Sequence, residues 1–461
     1  MERSVEGIVS AVRLEPDLRD NIYTVVSGSG VHEVKSGIVL EPLDRISLAG
    51  DEVSINGRAT NEDYESAISG IVNRIGLHDG AFSAFGDRAG PVAKVMSHQM
   101  VECAKLFLKS YMGGAPIVVR FHNDGDGASG AVAIYRALAK IGRDSGLARQ
   151  PKWRMHRGVS YDMESFYSDM AEFGNTKSIE KPLLLITDFG TAPESEKAIE
   201  LAREQANIIW FDHHMPYAGF RKELVPHYVN PWEHGGDSNF TAGLLCCVFS
   251  SLISGIDNSV LAQASFISDY SDMADRSSEE GHRTALLLDH ITSAKRIGSV
   301  TRERITPGFI DSIISDSETS GRMYREVRNS VDEALALGLS HVKRYTTKSG
   351  NAVSVLDFEH ISRASDGAML PGRYSSRLHE KMEEISGDCI TIVHYGQYIS
   401  LRVSRSIAEK VGLLVTIGNM KKFEEYVESG GGHNQAGSIR MKGDYADEVM
   451  PILLRELGVK L

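Results

Sequence analysis

The chain reads as short apolar runs separated by polar breaks, and the period of those runs changes along its length. Over residues 1–58, EGIVSAV, NIYTVVS, HEVKSGIVL, DRISLAG and EVSING are strand-length runs broken by Gly, Asp and Ser. Their spacing of roughly 8 to 12 residues predicts a small β-rich domain. That is either an OB-like barrel or a β-domain with no binding role. From Asn61 to Leu108 apolar residues recur at helical spacing, with a Gly-rich break between Gly80 and Gly90. Strands then alternate with helices. PIVVRF, LLLIT and NIIWF are largely apolar, and AVAIYRALAKIG and ESEKAIELAREQA between them are helical in period. This alternation predicts βαβ crossovers and a parallel sheet covered on both faces. Residues 283–340 read as helices with breaks near Thr292 and Ser317. From His341 strands return as AVSVLDF, CITIVHY and YISLRVS, with helical LHEKMEEI between the first two. The expected segments are therefore 1–58, a helical 59–110, an α/β domain over 111–290, a helical connector over 291–340 and a second α/β domain over 341–461. No internal repeat or low-complexity tract interrupts them.

In parallel sheets ligands bind beyond the carboxyl ends of the strands, and here those ends carry the chemistry. His122, Asp124 and Asp126 follow PIVVRF, Asp188 follows LLLIT, and Asp212-His213-His214 follows NIIWF. Imidazole with hard carboxylate oxygens suits Mn²⁺, Mg²⁺ or Zn²⁺. Glycines at 125 and 127 permit a sharp turn, although such a turn could simply cap the next helix. Asp188 alone could also be an N-cap. With its neighbours it could bridge two ions ~3.5 to 4 Å apart. Consecutive residues at a strand end diverge, so one histidine of the triplet can bind metal while the next faces substrate. Asp212 could then accept the free imidazole N–H. After LAQASFIS, Asp269 competes with Asp272 and Asp275. Gly430-Gly431-Gly432-His433 is either a flexible turn or a close backbone approach to an anion.

Composition narrows the partners. The net charge of −12 argues against a non-specific nucleic-acid coat protein. It leaves an enzyme open, because bound cations would offset acids in a metal site. Contacts to nucleic acid would then come from local pairs such as Arg402 with Arg405 and Lys421 with Lys422. Hydrophobic content of 42% and charged content of 24% are ordinary for a globular protein. No apolar run approaches the ~18 to 20 residues of a membrane span, so no membrane partner is expected. MERSVEGIVSAVRLEPD has no basic stretch before an apolar core, so no signal peptide is expected. Cys103, Cys246, Cys247 and Cys389 form no CxxC pair, which fits buried thiols in a cytoplasmic protein.

FHNDGDGASGA, LLLITDFG, FDHH and SFISDYSD together resemble the four catalytic motifs of the DHH phosphoesterase superfamily, and within it the RecJ-like nucleases, archaeal branch. NPWEHGGDSNFTAG resembles the segment after the DHH triplet. GGGHNQAGS and SLRVSRS are similar to the signature and the substrate-facing strand of the DHH-associated domain. The resemblance covers roughly residues 111–461. It implies a parallel-sheet DHH domain, a second α/β DHH-associated domain and two divalent ions, Mn²⁺ preferred over Mg²⁺. It implies metal ligands His122, Asp124, Asp126, Asp188, His213 and Asp269, with Asp188 bridging and Asp212 orienting His213. His214 would face the scissile phosphate, and Ser400, Arg402, Gly430, Gly431, Gly432 and His433 would hold substrate. Asn123 departs from the motif but leaves the ligand spacing intact. The implied activity is hydrolysis of single-stranded DNA or RNA, as an exonuclease of DNA repair or replication. The alternatives are a hydrolase of short oligonucleotides or cyclic dinucleotides, or a scaffold that binds replication-complex proteins.

Overall fold

The computed structural model describes residues 5–14, 20–49, 52–86, 90–147, 149–362, 371–432 and 434–460. The chain divides into two compact units. One is Met1–Leu288 with Thr306–Ser312, and the other is Asp289–Ile305 with Ile313–Leu461.

The first unit opens with five antiparallel strands: β1 (Val5–Arg13), β2 (Asn21–Ser27), β3 (Val31–Ser36), β4 (Asp44–Ala49) and β5 (Glu52–Arg58). Their order, β3-β2-β1-β4-β5, returns the fourth strand beside the first. That is a Greek-key connectivity. Val9, Val12, Tyr23, Val25, Leu40 and Ile46 form its core. Tyr23 is the one aromatic residue of this segment. It is fully buried, and its hydroxyl donates to the Ile38 carbonyl at 2.6 Å, so it offers no ring for a base to stack on. Residues 1–58 also do not complete their own sheet. β8 (Thr176–Ser178), which lies far along the chain, pairs with the end of β1, setting Ala11 against Ser178 and Arg13 against Thr176.

Two helices follow, α1 (Asn61–Ile75) and α2 (Gly90–Met112), divided at the expected glycine-rich break. Thr60 and Asp63 start α1 with a reciprocal capping box.

The central sheet has the strands β6 (Ile117–His122), β7 (Lys152–His156), β9 (Leu183–Thr187), β10 (Asn207–Phe211) and β11 (His227–Val229). All four pairings are parallel, and the order is β11-β10-β9-β6-β7. Both faces are buried, which is why the strands read as apolar runs. On one face, Val118, Leu184, Ile186 and Trp210 pack with Phe166 of α4 (Met163–Phe173) and Ile199 of α5 (Glu196–Gln205). On the other, Thr187 and Phe211 meet Cys246 and Phe249 of α6 (Ala242–Ser254). α3 (Gly125–Ser145) links β6 to β7. The chain leaves β6 towards one edge and returns at β9 towards the other. The switch point of this doubly wound order therefore lies between β6 and β9.

α7 (Ser259–Ser268), α8 (Glu279–Ser293), a two-stranded hairpin of β12 (Arg296–Ile297) and β13 (Val300–Thr301), α9 (Pro307–Ser315) and α10 (Ser317–Leu339) lead into the second unit. The hairpin interrupts what the sequence presents as a purely helical connector. Four residues on two strands are too few to show a period.

The second unit holds β14 (Lys343–Thr346), β15 (Ala352–Asp357), β16 (Cys389–Tyr395), β17 (Tyr398–Val403), β18 (Val427–Gly432) and β19 (Ala436–Met441). Their order is β14-β15-β16-β17-β19-β18, with only β15 and β16 parallel. Ile392, Ile399, Leu401 and Ile439 meet Ile407, Leu413, Ile417 and Leu453 in its core. α11 (Glu359–Ser362) and α12 (Pro371–Ser386) precede β16. α13 (Arg405–Val411), α14 (Leu413–Met420) and α15 (Ala446–Glu456) supply the helical side of that core. Among the described residues no helix is long and apolar enough to cross a membrane.

Candidate metal centre

The switch point gathers the predicted ligands. His122 ends β6, Asp124 caps α3, and Asp126 lies in the first turn of α3. Both readings of Asp124 hold together. Its Oδ1 accepts the Gly127 N–H at 3.0 Å, while its Oδ2 lies 2.6 Å from His122 Nδ1. The turn needs glycine at 127, because a Cβ there would sit 2.5 Å from the His122 carbonyl oxygen. Asp126 lies across the start of α6, with the Ala242 and Gly243 N–H groups donating to its carboxylate at 3.0 and 2.8 Å. Helix amino ends favour such an anion. Ser265 of α7 also donates to Asp126 Oδ1.

Asp188 follows β9 with φ +69°, in the left-handed region that a residue with a Cβ rarely adopts. His213 Nε2 lies 3.4 Å from Asp188 Oδ1, 3.6 Å from Asp126 Oδ2 and 3.5 Å from Asp269 Oδ2. His122 Nδ1 lies 3.8 Å from the other Asp188 oxygen, Oδ2. Asp188 thus belongs to two groups close enough to hold an ion: one with His122 and Asp124, the other with His213 and His214. Asp188 Oδ2 is buried with no hydrogen-bond partner among the described residues. A buried carboxylate oxygen left in that state is costly, and a divalent cation would satisfy it. Carboxylates and imidazoles in this number fit two such ions.

The electrostatics agree. Burial, then repulsion from Asp124, Asp126 and Asp269, holds the Asp188 carboxyl far above the usual range. Burial raises Asp269 to about 6 against the pull of His213, with repulsion from Asp126 and Asp124 adding to the rise. Burial opposes charge on His213, but Asp269, Asp126 and Asp212 outweigh it and push its pKa to about 9. Burial also resists ionisation of Asp124, yet the adjacent His122 imidazole keeps its carboxyl well below the usual range.

One expected contact is formed differently. Asp212 Oδ1 faces His214 Nδ1 at 2.8 Å, not the His213 ring, and accepts the backbone N–H groups of His213 and His214 at 2.8 and 3.2 Å. His213 Nδ1 instead meets the Ser238 carbonyl at 2.8 Å. A carboxylate that accepts the N–H of the next residue lies beside the backbone, and the histidine two positions on is the one that curls back to it. A backbone carbonyl orienting a ligating imidazole is common in metal sites. Of the three competing carboxylates, Asp269 is the one that reaches His213, while Asp275 caps its own turn through Ser277.

His156, at the end of β7, is a neighbour of the site that the sequence does not announce. It is paired in register with His122, its ring lies 4.0 Å from that of Phe189, and its Nε2 is buried without a partner. Burial lowers its pKa to about 4, so it is neutral at physiological pH. KWRMH is too mixed to read as a strand, so its end carries no signal.

In the second unit, Ser400 and Arg402 lie on β17. Arg402 donates to Ser376 Oγ at 3.0 Å, Ser400 Oγ at 3.2 Å and the Leu401 carbonyl at 2.9 Å. Gly430, Gly431 and Gly432 form no turn. They end the edge strand β18, paired with Ile439, Ser438 and Gly437. His433 lies outside the described residues.

No protein-family model matches the chain. It is 23% identical over 406 residues to the uncharacterized protein MJ1198 of Methanocaldococcus jannaschii, a match covering 76% of this chain and 53% of the relative. The chain thus spans about half the length of the curated relative it matches. Among solved structures it is similar to a DHH domain from a protein described as a member of a family of ribosomal proteins. That likeness has a TM-score of 0.70 at 22% identity and covers 87% of this chain and 98% of the other. RecJ from Thermus thermophilus, in complex with Mn²⁺, matches with a TM-score of 0.46 at 16% identity, over 78% of this chain and 54% of RecJ. The fold is that of a DHH domain. The expected class, a parallel-sheet α/β domain with a second α/β domain and an antiparallel N-terminal sheet, is what the structure has.

Proposed function

We propose that this protein is a metal-dependent phosphodiesterase that shortens single-stranded DNA or RNA from an end. The observation that carries the reading is Asp188: one carboxylate shared by two candidate ion clusters, on a strained backbone, with an oxygen that has no hydrogen-bond partner among the described residues. His122, Asp124 and Asp188 would hold one ion, and Asp126, Asp188, His213 and Asp269 the other. Divalent ions held there would neutralise phosphoryl charge and acidify the attacking water, and Mn²⁺ suits the mixed imidazole and carboxylate donors better than Mg²⁺.

The remaining groups position and stabilise. Burial resists charge on Asp212, but His214 and neighbouring donors keep it ionised. Asp212 takes the Nδ1 proton of His214 in a hydrogen bond, leaving Nε2 to act on substrate. His214 stands beside the candidate ions, where it would meet a phosphoryl oxygen as charge builds there. Ser400, Arg402, the backbone of Gly430, Gly431 and Gly432, and His433 bind the phosphates of the strand, with Arg402 offering a fork that matches one phosphate.

The test uses purified protein with Mn²⁺ on single-stranded DNA and RNA labelled at either end. Stepwise shortening from one end, abolished by EDTA, is expected. Turnover confined to dinucleotides or cyclic dinucleotides would replace this reading with the small-substrate one. Full hydrolysis in excess EDTA would end the metal assignment.

A further inference from the structure

The C-terminal sheet can be read in rows. Tyr398, Ser400 and Arg402 alternate along β17 and so share a face. Register across β16, β17, β19 and β18 sets Tyr395, Tyr398, Arg440 and Ser429 in one row. The next row is Val393, Ser400, Ser438 and Gly431, and the third brings Thr391, Arg402 and Ala436 together. The opposite face carries the core residues Ile392, Ile399, Leu401 and Ile439.

The first row differs from the others. The Tyr395 and Tyr398 rings are stacked, with centroids 5.4 Å apart and planes 17° from parallel. The Arg440 guanidinium lies 5.8 Å from the Tyr398 ring centre on the next strand. Tyr398 is 38% exposed. Arg440 also pairs with Glu428 at 3.0 Å, where both side chains are exposed. Surface pairs of this kind contribute little and exchange readily for another anion. Arg402 is four residue steps along β17 from Tyr398, about 14 Å at strand rise, a span of a few nucleotides.

We propose that Tyr395, Tyr398 and Arg440 form a base-stacking subsite for single-stranded nucleic acid. It rests on the reading above, in which Ser400 and Arg402 hold the phosphates of the strand. Two observations select this occupant. The row continues the same face as Ser400 and Arg402, and it combines exposed aromatic surface with a cation, the pair of features that holds a strand without regard to sequence. Ser400 and Thr391 lie buried against Ser375 and His379 of α12, so the strand would run over β19 and β18, where the small residues Ser429, Gly431, Ala436 and Ser438 are half-buried and leave room for it. A dinucleotide held at Arg402 is too short to reach the tyrosines, and a longer strand reaches them. The subsite therefore makes the enzyme favour long substrates.

The experiment compares the full-length wild type with Tyr398→Ala, Tyr398→Phe and Arg440→Gln. Binding of a labelled long oligothymidylate and of an abasic strand of equal length is followed by fluorescence anisotropy. Dinucleotide turnover with Mn²⁺ is measured alongside. Tyr398→Ala should weaken oligothymidylate binding roughly 10- to 100-fold. Tyr398→Phe, which keeps the ring, should bind like the wild type. Arg440→Gln should fall between the two and serves if the alanine variant fails to fold. Abasic binding and dinucleotide turnover should not change. If every variant binds oligothymidylate as tightly as the wild type, the subsite is refuted while the nuclease reading stands. If the wild type neither binds nor cuts any strand, the nuclease reading fails and the subsite with it.

Discussion

At the strand ends of the central sheet, His213 Nε2 faces three carboxylates within 3.6 Å, and Asp188 keeps a buried oxygen unsatisfied. On the face of the C-terminal sheet, Arg402 already bonds two serines and a carbonyl, and Ser400 meets Ser375 at 2.8 Å. The first region is strained as protein alone: its carboxylates repel one another, and a bound cation would relieve them. The second already engages several of its donors within the protein, so a ligand there has to displace existing bonds. A charge-deficient region should bind tightly and fail completely when one member is lost. A self-satisfied region should bind weakly, exchange quickly and fail by degrees.

The sharpest break in that comparison is Asp188→Ala, which should remove turnover altogether, since one carboxylate serves both clusters. Asp188→Asn keeps the shape and should also be inactive. In EDTA, however, its melting temperature should equal or exceed that of the wild type, because the substitution removes a carboxyl whose ionisation is opposed by burial and by its acidic neighbours. A clear loss of stability in the asparagine variant would show that the cluster is not frustrated. Next, Asp269→Ala should cost nearly all activity and Asp272→Ala little. The reverse result in paired assays would move the ligand three positions along.

Arg402→Ala should be milder. Loss of one charged hydrogen-bonding group predicts roughly a 10- to 100-fold rise in KM. Mn²⁺ titration of the variant should match the wild type, and a weakened metal isotherm would erase the distinction between the two regions. The smallest expected effect is on pH dependence in chelator. Asp269 is raised from 3.8 to about 6 and His213 from 6.5 to about 9, so the folded protein holds more protons than the unfolded chain. Asp269 therefore lowers stability as pH rises from about 4 to about 6, and the stability that His213 contributes is lost as pH climbs towards about 9. Thermal melts across that range should decline with pH in EDTA and flatten with saturating Mn²⁺.

The central sheet was legible because strands buried on both faces carry a nearly unbroken apolar signature. The clusters were legible because each sits where such a strand stops. What the sequence hid depends on chain segments meeting from afar. The Ser238 carbonyl that orients His213 has no side-chain signature, and the φ of Asp188 leaves no trace in residue type. Gly430, Gly431 and Gly432 read as a turn because glycine carries no strand preference, and pairing with β19 overrode that. The N-terminal segment looked self-contained because its missing partner, Thr176–Ser178, is three polar residues inside another domain's sequence.

That partner has a consequence for how the chain acquires its shape. During synthesis the first strands leave the ribosome early and can pair among themselves. β1, however, gains its last neighbour only after residue 178 has emerged. Pairings so distant in sequence are intrinsically slow, and partly assembled sheets expose edges that invite aggregation. The N-terminal sheet therefore finishes folding with the central parallel-sheet domain and not before it, and a nascent chain stalled before residue 176 carries an open edge on β1.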